Sequence, residues 1–199
     1  ILLSIGTYGR KSGHLSQDTS SVNGKIVKIN IHDTSYEIIS LGHRNPEGLY
    51  YDETNNYILE TEHGPAGGDE INMVKFNNFS FQKNNYGWPL ASYGAHYGDE
   101  LPISNSHIEN GFIEPLKYFV PSIGISEITK VGKKTYVAAS MANKALWFFK
   151  LDSKNKISEL KRISIKERIR DIKFKGKKLF LFLEDSASIG IIPMNILPI

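Results

Sequence analysis

The sequence predicts an all-β fold, and three observations carry that expectation. Short segments rich in β-branched and aromatic residues recur between turn signals. No stretch has a sustained helical period. With weaker candidates added, about fourteen strands follow one another at the spacing of a sandwich, barrel or propeller. At four strands to a blade, that is about three and a half blades. A propeller ring closes with typically 4 to 8 blades, so on this reading residues 1–199 form a single-domain fragment of a larger ring.

In chain order, Ile1-Leu2-Leu3-Ser4-Ile5-Gly6 reads as a strand joined midway, with neither an initiator methionine nor a charged leader. The clearest strands follow: Lys25 to Ile31, Tyr57 to Thr61, Thr135 to Ala139, Ala145 to Lys150, Lys178 to Leu183 and Ile189 to Pro193. Two stretches resist strand assignment, Gly6 to Asn23 and Phe76 to Gly111, and loops of that length in a compact domain are commonly functional. The Lys-rich run from Lys150 to Lys178 reads as the solvated face of outer strands.

Composition narrows the chemistry. Of 199 residues, 40% are hydrophobic, enough for a sizeable core, and a net charge of +3 argues for neither nucleic acid nor an anionic membrane as partner. No apolar run approaches the roughly 20 residues of a membrane helix. The absence of cysteine excludes disulfides, thiolate metal sites and cysteine nucleophiles, so redox chemistry requires a borrowed cofactor. No nucleophile elbow, P-loop or dinucleotide fingerprint follows a strand.

Three clusters carry candidate chemistry. In Gly42-His43-Arg44-Asn45-Pro46-Glu47-Gly48, a guanidinium and a carboxamide precede a proline that holds Asn45 extended. That pair suits carboxylate or quinone oxygens, and equally a turn leading into a strand with a surface Arg. In Glu62-His63-Gly64-Pro65-Ala66-Gly67-Gly68-Asp69-Glu70, glycines let carbonyls turn toward a hard cation such as Ca²⁺. The alternative is a Gly-rich turn whose Asp69 and Glu70 face water. In Arg168-Ile169-Arg170-Asp171, alternation sends both guanidiniums to one face, where a bound anion or the neighbouring acids Glu167 and Asp171 would relieve their repulsion. Tyr86, Trp88, Tyr93 and Tyr97 form an aromatic series suited to walling a planar ligand. His14, His32, His96 and His107 stand in loops with no evident serine, cysteine or carboxylate partner.

Taken in order, these clusters, with Asn85-Tyr86-Gly87-Trp88-Pro89 between the second and third, resemble the soluble aldose sugar dehydrogenases. Those enzymes are the pyrroloquinoline quinone (PQQ) members of the glucose/sorbosone dehydrogenase family. The resemblance runs from Ile1 to Glu184-Asp185 and implies a six-bladed β-propeller, of which this chain supplies roughly the C-terminal three to three and a half blades. It places Arg44, Asn45 and Tyr97 on PQQ, with Arg168 and Arg170 holding the anionic edge of the cofactor. It also implies a cofactor-associated Ca²⁺ on the backbone carbonyls of Gly64 and Pro65, and another calcium site at Glu70 and Tyr86.

The activity so implied is oxidation of the C1 hydroxyl of an aldose to the lactone by hydride transfer to the quinone, with an electron acceptor as second partner. The family's histidine base and a glutamine contact fall just upstream of the segment matching Ile1 to Gly6, so no catalytic residue is assigned here. The family's cofactor-binding lysine aligns with Met141, leaving Lys144 as the nearest substitute, and the stretch between Val74 and Tyr86 is longer than the family's turn. A non-catalytic propeller that binds sugar or protein and retains a calcium site is the alternative. The resemblance implies a periplasmic or secreted protein and leaves a homodimer open.

Overall fold

The computed structural model describes residues 1–7, 10–76, 84–95 and 104–196. Among the described residues, fourteen strands form four antiparallel sheets, in which each strand pairs with the next in sequence. The first sheet holds β1 (Leu2–Ile5), β2 (Lys25–Ile29) and β3 (Tyr36–Leu41). The second holds β4 (Pro46–Asp52), β5 (Tyr57–Glu62), β6 (Asp69–Lys75) and β7 (Lys117–Phe119). The third holds β8 (Ile125–Lys130), β9 (Thr135–Ser140), β10 (Ala145–Leu151) and β11 (Ile157–Ser164). The last holds β12 (Ile169–Lys175), β13 (Lys178–Leu183) and β14 (Ser188–Pro193). The all-β expectation and the strand count both hold; the described helical segments are short 3₁₀ turns, one of which, Arg10–Ser16, lies in the first long loop.

Local sequence explains the connections. Gly176 and Lys177 both sit at positive φ (57° and 59°), the backbone of a two-residue hairpin turn between β12 and β13. Asp52 caps the turn into β5 by accepting from the Asn55 N–H at 3.2 Å. In β11 alternation gives way to continuous exposure, as the Lys-rich run predicts for an outer strand.

Apolar faces pack sheet on sheet. Ile26 and Ile39 of the first sheet meet Ile58 and Val74 of the second, with Tyr86 closing the layer. Tyr57, Leu59, Ile71 and Met73 meet Ile125, Ile128, Tyr136 and Phe149 of the third. Val137, Ala139, Leu146 and Phe148 meet Ile169, Ile172, Leu179 and Leu181 of the last. β5 is therefore buried on both faces, as the inner part of a blade must be. Strands β4, β8 and β12 lie next to one another as the first strands of successive sheets.

Register places the clusters on one rim. β4 starts where β5 ends (Pro46 opposite Glu62), β8 where β9 ends (Ile125 opposite Ser140), and β12 where β13 ends (Ile169 opposite Leu183). The C-terminal end of β1 reaches the same rim, because the Thr7 N–H donates to the Arg44 carbonyl at 2.8 Å. β1 thus runs as β5, β9 and β13 do, ending at this rim.

Candidate functional site

A relay of side chains ties this rim together. Arg44 Nη1 donates to the His63 carbonyl at 3.0 Å, His63 Nε2 to the Ile125 carbonyl at 2.6 Å, and Ser126 Oγ to the Ile169 carbonyl at 2.7 Å. Thr61 Oγ1 accepts from the Gly48 N–H at 2.9 Å and bonds the Ser126 carbonyl. The first strands of three sheets are so braced against each other directly beneath Arg44, Asn45 and Arg168. His63 serves as a brace, its Nδ1 lying 3.8 Å from Glu47.

Around Arg44 a narrow cleft of about 10 Å³ admits one water or one bare ion; it is lined by Arg44, Glu62, Gly64, Pro65, Glu70 and Tyr86, with His107 and Trp88. The structure therefore brings together five residues that the sequence singles out, Arg44, Gly64, Pro65, Glu70 and Tyr86. The Arg44 guanidinium lies over the Trp88 indole, 5.3 Å from the ring centroid, and its backbone N–H donates to Glu62 at 2.7 Å. Trp88 is held from below by the first long loop, where Ser16 bonds its carbonyl and Gly13 packs on its indole. Lys25 anchors that loop by donating to the carbonyls of Leu15, Ser16 and Asn23 at 2.8–2.9 Å, and burial pushes its ammonium down to about 8. Asn45 Nδ2 donates to Glu47 at 2.6 Å. Tyr97 and His96 lie outside the described residues.

Beneath the cleft, the carboxylates of Glu60, Glu62 and Glu70 converge on one amide. Alternation turns Glu60 and Glu62 of β5 and Glu70 and Asn72 of β6 toward the first sheet, with Glu62 directly opposite Glu70. Asn72 Nδ2 lies 3.1, 3.0 and 3.2 Å from oxygens of Glu60, Glu62 and Glu70. An amide has two hydrogens, so three carboxylates cannot all be served at once. Burial and the nearby Glu62 charge push the carboxyls of both Glu60 and Glu70 well above the usual range. The water-facing alternative for Asp69 and Glu70 is thereby overturned. Asp69 is buried and accepts from the Ile123 and Ile125 N–H groups at 3.0 Å and from Ser122 at 2.6 Å.

His107 is the principal site residue that sequence reading missed. It does have carboxylate neighbours, Glu70 at 3.6 Å and Glu114 at 4.0 Å, and it stacks on Tyr93 at 5.2 Å. Burial lowers its pKa. It arrives from a long loop, so no spacing in the sequence announces its partners. Tyr86 stacks on His43 at 4.8 Å and donates its hydroxyl to the Met73 carbonyl at 2.6 Å.

Further along the rim, Arg168 and Arg170 do share a face, but the acid between them is Glu184, at 3.3 and 2.5 Å, in place of Glu167 or Asp171. A bulge in β12 between Ile169 and Asp171 and the hairpin to β13 bring Glu184 there. Glu167 instead accepts from the Ser186 N–H. Arg168 Nη2 also lies 3.9 Å from Met141 Sδ, while Lys144 pairs with Asp185 at 2.7 Å. Met141, at the position the resemblance gives to the family's lysine, therefore has a guanidinium beside it and not the Lys144 ammonium.

Glu127, on β8 between β4 and β12, is pushed up to about 7, chiefly by burial and opposed by the Ile128 N–H at 2.8 Å. The folded chain therefore holds a proton between about pH 4.5 and 7 that the unfolded chain has released, and stability from this group is lost as pH rises through 7. Glu127→Gln is expected to raise stability by about 3 kcal/mol at pH 8 and to change little at pH 4.5. Thermal melts at the two pH values check this; an equal effect at both contradicts it.

The family model "Glucose / Sorbosone dehydrogenase" matches residues 1–192. The uncharacterized protein slr1608 of Synechocystis sp. is 29% identical over 201 residues, spanning 87% of this chain and 47% of that protein. Quinoprotein glucose dehydrogenase B of Acinetobacter calcoaceticus is 33% identical over 103 residues, 49% of this chain and 18% of that protein. The solved structure of the soluble aldose sugar dehydrogenase of Escherichia coli, in its apo form, superposes with a TM-score of 0.78 at 25% identity, covering 96% of this chain and 60% of that one. The chain spans about half the length, or less, of the curated relatives it matches. With two complete and two three-stranded sheets, it is a partial β-propeller of three to three and a half blades. It belongs to the glucose/sorbosone dehydrogenase family.

Proposed function

We propose that this chain forms the cofactor-clamping and calcium-binding part of a PQQ-dependent aldose dehydrogenase. The observation that carries the reading is the convergence of Arg44, Gly64, Pro65, Glu70 and Tyr86 on one cleft, on the same rim as the Arg168–Arg170 pair. The donor chemistry fits calcium. Carbonyls of Gly64 and Pro65 and the carboxylate of Glu70 are hard oxygen ligands, and a cation relieves the repulsion of the buried Glu62–Glu70 pair. Tyr86 contributes its backbone oxygen, since its hydroxyl is committed to Met73.

The rim also fits an anionic quinone. Arg168 and Arg170 share one carboxylate and so leave one positive charge over, partly exposed at 35% and 55%. PQQ, when bound, supplies the electron sink that accepts hydride from the sugar. Arg44 and Asn45 orient its oxygens and polarise them, Arg168 and Arg170 hold its acid edge, and Trp88 keeps the Arg44 guanidinium in place. No residue described here is assigned as the base. An aldose, an external electron acceptor and a periplasmic or secreted setting complete the reading, and a homodimer is compatible with it. Among the described residues, no helix is long and apolar enough to cross a membrane.

The contact of Arg168 with Met141 favours one second reading, a non-catalytic propeller that keeps calcium but not quinone. Both are tested by adding PQQ and CaCl₂ to the full-length protein and following dye reduction across a panel of aldoses. Aldose-dependent reduction is expected, with Arg168→Ala weakening PQQ retention at least tenfold, about 1.4 kcal/mol, at nearly unchanged melting temperature. Calcium binding without quinone binding selects the second reading, and equal PQQ retention in variant and wild type contradicts the role of Arg168.

A further inference from the structure

Behind the cleft lies a buried polar cluster that neither the quinone nor the calcium reading uses in full. His43 comes from the turn between the first and second sheets and is wholly buried. Its Nε2 meets Ser40 Oγ at 2.8 Å and Tyr86 stacks on its ring, so the orientation of the imidazole is set from two sides. Its Nδ1 has no hydrogen-bond partner and aims at two carboxylates, 3.5 Å from Glu62 Oε1 and 4.0 Å from Glu60 Oε2. Glu60 Oε1 is likewise buried without a partner. Leaving such groups unsatisfied is costly, and buried charges in proteins are normally paired or metal-bound.

We propose that His43 Nδ1, Glu60 and Glu62 bind a first-row divalent cation of the zinc type. The three ligand atoms lie within 4.8 Å of one another. In a tetrahedral site with bonds of about 2.0–2.1 Å, ligand atoms stand about 3.3 Å apart, so the 3.5 and 4.0 Å separations contract slightly and the two carboxylates, within 4.8 Å of each other, close up by rotation of their side chains. An imidazole nitrogen beside two carboxylates suits zinc better than calcium, which prefers oxygen alone. In the tautomer that donates Nε2–H to Ser40, the Nδ1 lone pair is free for the metal, the outer-shell arrangement usual for a ligating histidine. A divalent ion also neutralises the two carboxylates. Because His43 precedes β4 and the glutamates end β5, facing Ile26 and Ile39 across the interface, the ion pins the first sheet to the second.

The test uses the full-length protein, stripped with chelator and dialysed against ZnCl₂ in the presence of millimolar CaCl₂. Bound zinc is counted by elemental analysis, and X-ray absorption at the zinc edge reads its ligands. One zinc per chain is expected, with a single imidazole and oxygen scatterers at about 2.0 Å. His43→Gln and Glu60→Gln are each expected to weaken zinc at least tenfold, while replacing the exposed His32 by Gln leaves it unchanged. The absorption spectrum needs no variant, so a misfolded substitution does not remove the test. No bound zinc, a shell without imidazole or with several, unchanged affinity in both variants, or displacement by calcium at equal concentration overturns the proposal. Calcium or PQQ binding can fail without touching these readouts, which separates this site from the catalytic reading.

Discussion

Replacing Gly68 by alanine is expected to cost at least ~3 kcal/mol of stability, whereas the same change at Gly67 costs about 1 kcal/mol. Both glycines have positive φ, 70° and 98°, so an L side chain is strained at either. They differ in what a Cβ would meet. At Gly68 it would lie 2.3 Å from the Gly94 nitrogen and 2.8 Å from the Tyr93 carbonyl carbon, which are backbone atoms that no rotamer can move aside. At Gly67 the nearest atom is Val120 Cγ1 at 3.8 Å, an ordinary contact. Gly68→Ala must therefore separate the loop that carries Gly64 and Pro65 from the segment at Tyr93–Ala95, breaking the paired hydrogen bonds between Ala66 and Ala95. Because that loop walls the cleft, any gain in melting temperature on adding CaCl₂ is expected to vanish in Gly68→Ala and to persist in Gly67→Ala. Parallel urea titrations and calcium-dependent melts of the two variants decide it; similar losses in both would show that the backbone contact with Gly94 does not control the loop.

The same contrast explains what the sequence reveals and what it conceals. Segments such as Tyr57 to Thr61 and Lys178 to Leu183 announce themselves because β-branched and aromatic residues crowd between turns, and they are found as Tyr57–Glu62 and Lys178–Leu183. The motif residues Arg44, Gly64, Pro65, Glu70 and Tyr86 are legible as a set, and they meet in one cleft. Glu60 is not legible. A carboxylate alternating with Ile58 along a strand reads as solvent-facing, and only packing of sheets on both faces of β5 buries it. His107 and Glu184 are concealed for another reason. Each reaches its partners through a loop or hairpin, so sequence distance carries no sign of contact with Glu70 or with Arg168.

Far from the rim, at the opposite end of the strands, Asp52→Ala is expected to cost about 3–5 kcal/mol. Asp52 ends β4, is buried, and its Oδ2 accepts from Lys130 Nζ at 2.7 Å, Tyr136 OH at 2.6 Å and Asn55 Nδ2 at 3.0 Å. Tyr136 in turn meets the Tyr57 hydroxyl at 2.6 Å, so one carboxylate ties the second sheet to the third. Burial alone would raise its pKa, but the bonds from Lys130, Tyr136 and Asn55 outweigh that and hold it at about 2. The folded value lies below the unfolded one, so the stabilisation is full above pH 3.8 and is lost as pH falls through 2. A shift from 3.8 to about 2 corresponds to about 2 kcal/mol at neutral pH. Asp52→Asn, which keeps the volume and removes the charge, is expected to lose about that amount at pH 7 and to converge on wild type near pH 2. Denaturant titrations of both proteins across that range measure the difference directly. If the gap stayed constant down to pH 2, the link between the sheets would depend on shape and neutral hydrogen bonds, and the charge of Asp52 would contribute nothing to it.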